Sequence, residues 1–76
     1  MAEPLDFALR GEHIALDALL KASGLAGSGG AAKILIAGGG VRVNGQAEIR
    51  RGRKLRAGDE VVVGKSRVRV LIRPAG

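Results

Sequence analysis

Five of the seven residues from Arg50 to Arg56 are cationic: Arg50, Arg51, Arg53, Lys54 and Arg56. A run this dense repels itself unless it meets an anion, and solubility alone needs no such clustering. The planar guanidinium fork suits phosphate oxygens, so the expected ligand chemistry is a phosphate backbone. Lys33 and Arg42 can join the group if the segments that carry them pack beside it. A second row, Arg67, Arg69 and Arg73, reads either as another contact strip or as an edge strand guarded by charge.

Other chemistries find little support. The chain has one His, three Ser and no Thr, Tyr or Cys. His13 has no nucleophile near it in sequence and reads as a surface residue at a helix start. Glu48 and Asp59 could form a carboxylate pair, but cations and turn signals flank both, so ion-paired or solvated roles fit better. Two phosphate-loop look-alikes fail. "GDEVVVGKS" has five residues between Gly58 and Gly64 where a nucleotide-binding loop needs four, and Val61–Val63 read as strand. "GSGGAA" matches a dinucleotide fingerprint that must follow a strand, and here it follows a helix. The sequence therefore calls for no catalytic residue, metal or cofactor.

The net charge of +6 is unevenly placed. Residues 1–20 sum to −3, and residues 21–76 sum to +9. That asymmetry implies a basic face, which on a small domain most often meets nucleic acid. The alternative is a protein-interaction module that docks an acidic partner on the same face. Single-strand readers stack bases on exposed aromatic rings. This chain has only Phe7, in a core pattern, so folded RNA read by shape is the better match. A major-groove DNA reader would need a more basic helix than this sequence offers.

The elements that must position these cations fit one 76-residue domain. A chain this short buries only about 60% of its unfolded surface, and without Cys it has no disulfide to help. Its core must be aliphatic. No apolar run approaches a membrane span, and Glu3 and Asp6 stand where a secretory signal would carry cations. A soluble, cytoplasmic monomer is expected. Leu5, Phe7 and Leu9 alternate with polar or small residues, predicting a half-buried strand. Residues 13–23 change to a helical period, with Asp17 and Lys21 spaced to pair and Gly24 as C-terminal cap. Ser28 caps a second helix over 29–37, apolar nearly all round and so expected to be largely buried. "VRVNGQAEI" predicts a hairpin turning at Asn44-Gly45, with Val41, Val43, Ala47 and Ile49 facing in. "EVVV" and "RVRVLIR" form a second hairpin across Gly64-Lys65-Ser66. There Val68, Val70 and Ile72 point one way, opposite Arg67, Arg69, Leu71 and Arg73. The expected fold class is α+β: two helices on one face of a small, mostly antiparallel sheet of about five short strands.

These residues resemble a known family, the S-four-type RNA-binding domain named after a small-subunit ribosomal protein. The resemblance runs over about residues 12–63. It is carried by Ser28, then Ala32 and Lys33 before Leu35-Ile36, then Gly40, Val41-x-Val43-Asn44-Gly45, and Gly58-Asp59 before a strand. "EIRRGRKL" is similar to the small stand-alone bacterial members. Many members carry Arg at the two positions after the helix-leading Ser, where this chain has Gly29 and Gly30. Weight therefore shifts to residues 50–56, although the helix start keeps free N–H groups for an anion. The resemblance implies the α-L RNA-binding motif and an RNA partner, ribosomal or transfer RNA, with association to ribosomal particles. With the cations read above and the helix start, the expected RNA contacts are Ser28, Lys33, Arg42, Arg50, Arg51, Arg53, Lys54 and Arg56. In larger members the domain steers an attached enzyme, and none is seen in this sequence.

Overall fold

A computed structural model describes residues 5–72. Alternation makes Leu5–Leu9 a strand, β1. A two-residue strand, β2 (Ile14–Ala15), leads directly into α1 (Leu16–Ala22). The helix thus begins three residues later than its periodicity predicts. Ile14 and Ala15 are drawn into a bridge with Leu55 and Lys54, which holds them extended. His13 accordingly precedes a strand, exposed, and does not open the helix. At the far end Ser23 closes α1, and Gly24 takes φ +82°, a conformation that glycine adopts without strain.

Ser28 caps α2 (Gly29–Ala37) by accepting the Ala31 N–H at 3.1 Å. Its flanks match the sequence pattern, but its burial does not. Only Ala32 and Ile36 are buried, and Ile34 is 74% exposed. A helix resting on one layer hides one side only, and a single exposed Ile is ordinary for a surface. Beyond Gly38–Gly40 come β3 (Val41–Val43), β4 (Gln46–Ala47), β5 (Lys54–Leu55), β6 (Glu60–Val63) and β7 (Ser66–Ile72).

The main sheet is mixed, with order β1-β7-β6-β3-β4; β2 and β5 form a separate pair. β7 is antiparallel to β6 but parallel to β1, with Phe7 opposite Val70. β7 therefore lies inside the sheet, and its arginines do not guard an edge. Arg73 lies outside the described residues. Ile72 is 73% exposed, whereas Val68 and Val70 are fully buried.

The core is one cluster. Leu16, Leu19 and Leu20 of α1 and Ala32 and Ile36 of α2 meet Val41, Val43, Val61, Val68 and Val70 from the inner sheet face. Leu55 joins them, fully buried. Both helices thus cover the same side, and the other side of the sheet is free to carry charge. Among the described residues no helix is long and apolar enough to cross a membrane.

The first hairpin corrects one expectation. Asn44 (φ +53°) and Gly45 (φ +84°) form the two-residue turn that their types predict. Its register sets Arg42 opposite Ala47, and the Glu48 N–H donates to the Val41 carbonyl at 3.0 Å. Residues directly opposite share a face. Glu48, as partner of inward Val41, therefore turns inward and is 6% exposed. Ala47 and Ile49 face out, with Ile49 69% exposed.

Candidate nucleic-acid interface

The cationic segment is fixed at both ends by buried groups. Glu48 anchors its start, and Leu55 anchors its end within the β2–β5 pair. Between them a turn closes where the Arg53 N–H donates to the Arg50 carbonyl at 3.2 Å. The loop backbone also caps α1. No side chain caps that helix, since position 15 is Ala. Instead Leu16 N–H donates to the Arg53 carbonyl (2.8 Å) and Asp17 N–H to the Arg51 carbonyl (3.0 Å). Two donors that every helix start leaves unpaired are satisfied by the loop, so loop and helix hold each other in place.

Side chains add a second tie. Glu48 Oε1 accepts from Arg50 Nη2 (3.1 Å) and Arg53 Nη1 (2.9 Å). Its Oε2 accepts from Arg50 Nε (3.2 Å) and the Arg50 N–H (3.1 Å). The Arg50 fork is bidentate, the strongest geometry for this pair. The bonds from Arg50 and then Arg53 hold the Glu48 carboxyl at about 2, well below its ordinary 4.5. The same pairing raises the Arg50 guanidinium. Arg50 nevertheless keeps 73% of its side chain exposed, and Arg53 30%. The two arginines are tethered at their inner edges and open at their outer ones. With Gly52 and Lys54 they line one shallow depression.

Downstream, the Gly58-Asp59 turn is joined to the hairpin through Asn44. Asn44 Oδ1 accepts the Glu60 N–H (2.9 Å), and its Nδ2 donates to Asp59 Oδ1 (3.0 Å). Asp59 Oδ2 accepts the Arg56 N–H at 2.9 Å. Burial would raise the Asp59 carboxyl, but the bonds from Arg56 and Asn44, with the Arg53 and Arg56 charges, bring it below its ordinary value. Neither acid forms the carboxylate pair considered from sequence. Each serves a turn.

Among the eight residues singled out, Arg50, Arg53 and Lys54 share the depression, and Arg51 stands exposed in the same loop. Arg56 is exposed just beyond Leu55. Arg42 lies elsewhere. It lines a different depression with Gly39, Gly40, Val62 and Gly64, on the outer sheet face. Lys33 is exposed on α2, and the Ser28 hydroxyl is engaged in capping. α2 packs against α1, whose first turn carries the loop, so these two residues relate to the loop through α1. Glu48 takes the ion-paired role that its flanking cations suggest, and its burial and its hold on the loop go beyond that reading.

The framework of two helices, a V-x-V-N-G hairpin and a G-D turn has a counterpart among known families. The family model described as S4 domain matches residues 7–71, nearly the whole chain. The chain belongs to the S4 domain family. S4 domains are RNA-binding modules and generally non-catalytic, so this chain's general activity is RNA binding. The match reaches past the 12–63 core to take in most of β1 and β7. This S4 domain has no match among curated proteins.

Proposed function

We propose that this S4 domain is a monomeric, cytoplasmic, non-catalytic module that binds structured RNA, with ribosomal RNA as its target. On this reading it grips backbone phosphates through Arg50, Arg51, Arg53 and Lys54, with Lys33, Arg42, Arg56 and the Ser28 helix start in support. The observation that carries the reading is the anchored loop. Its backbone is bonded to α1, yet four of its cations present charge to solvent. A solvated loop needs no such fixing. The absence of a stacking platform favours folded RNA, since Phe7 is packed against the core.

Crosslinking in cells, followed by sequencing of the bound RNA, tests the target. Reads concentrated on one ribosomal RNA helix support it. A single acidic protein partner and dispersed reads would favour the docking-module alternative. In vitro, replacing Arg50, Arg51, Arg53 and Lys54 with Ala should flatten the log–log salt dependence of RNA affinity by roughly 3 to 4 units, about 0.9 per lost phosphate contact. An unchanged slope would mean the loop does not touch phosphate.

A further inference from the structure

An acid at the centre of a polyanion-binding surface looks misplaced. Glu48 repels any phosphate that approaches, and the loop would carry one more net positive charge without it. Its placement argues for a different role. The residue is buried, and its oxygens accept four hydrogen bonds, all from Arg50 and Arg53. Arg50 spends two of its five side-chain N–H groups on Glu48, and Arg53 spends one. The remaining edges stay available at the depression lined by Arg50, Gly52, Arg53 and Lys54.

We infer that Glu48 is a positioning residue for phosphate binding: its carboxylate holds Arg50 and Arg53 so that their free edges and Lys54 form one phosphate seat. The inference rests on the RNA-binding reading and adds the residue that pre-organises it. Two opposing effects set the sign. Glu48 repulsion of phosphate acts through solvent and is screened by salt. The ordering of two long, rotamer-rich side chains is gained before RNA arrives, and it rests on a buried, hydrogen-bonded carboxylate that salt screens less. At physiological salt the ordering effect prevails.

The test uses the full chain and a fluorescent hairpin RNA with a double-stranded stem. Glu48→Gln keeps the shape and some hydrogen bonding but removes the charge. It should weaken binding about five- to tenfold, the ordering of two side chains, although it makes the protein more basic. The loss should grow as salt rises. It should vanish, or reverse to a small gain, in an Arg50→Ala/Arg53→Ala background, because the ordering acts only through those two residues and the repulsion alone remains. Arg50→Lys keeps the charge but loses the fork, and it should weaken binding comparably. Thermal melting checks the fold of each variant. If Glu48→Gln does not fold, Arg50→Lys decides, and unchanged affinity there overturns the inference. Equal or tighter binding by folded Glu48→Gln also overturns it, and so does an undiminished loss in the double-alanine background. In those cases wild-type binding still stands, so the RNA reading survives. Wild-type protein that ignores the hairpin overturns both.

Discussion

At position 48 the protein keeps a carboxylate ionised beneath two guanidiniums, and acid titration should expose it. The Glu48 pKa is about 2 in the fold against an ordinary 4.5, so between those values the unfolded chain binds more protons than the folded one. Stability contributed by this group is complete above about pH 4.5 and is lost as pH falls toward 2. Urea midpoints measured across that range should drop steeply for wild type and more gently for Glu48→Gln. Asp59 is lowered as well, so some acid sensitivity should persist in the variant. Asn44 offers a second residue-scale test. It combines φ +53° with two side-chain bonds into the Asp59 turn. Asn44→Ala should cost about 1–3 kcal/mol from the lost bonds, with turn strain in addition. Asn44→Gly should recover the strain but not the bonds. Equilibrium unfolding of both variants separates the two contributions.

At the scale of elements, the loop and α1 depend on each other. Leu55, fully buried under the loop, is the joint. Leu55→Ala should cost about 2–5 kcal/mol, a large share of the stability of so small a domain. Ile34→Ala, by contrast, should fall within about 0.5 kcal/mol, because that side chain already meets water. Denaturant unfolding checks both. Features set by near neighbours were legible in the sequence. Ser28 before α2, Asn44-Gly45 at the hairpin and Gly24 after α1 each follow from a local backbone need. Glu48 was legible too, from register. A two-residue turn at 44–45 makes residue 48 the partner of Val41, so one inward side chain fixes the other. Alternation read on from the valines alone skips that step and puts Ala47 and Ile49 inside, where the structure has Glu48. The β2–β5 bridge was not legible. Two residues carry no period, and they pair with residues some forty positions away. The exposure of Ile34 was hidden for a related reason: composition says a helix is apolar, but only packing says which side is covered.

Across the whole molecule the cations divide between two surfaces of different character. Those of the loop lie around one internal acid. The outer face of the sheet alternates sign: Arg67 Nε lies 3.6 Å from Glu60, and Arg69 sits in register between Glu60 and Asp6. Arg67→Ala/Arg69→Ala should therefore change the salt slope of RNA binding less than the loop substitutions do, because paired cations release fewer counterions. A comparable change would instead extend the RNA footprint onto the sheet. The strand order has a temporal consequence as well. β7 follows every other described strand along the chain, yet it stands between β1 and β6. A nascent chain halted before residue 66 holds β1 without β7, the strand it pairs with. Such a product cannot be a smaller version of the domain, and it should be open to proteases until β7 emerges.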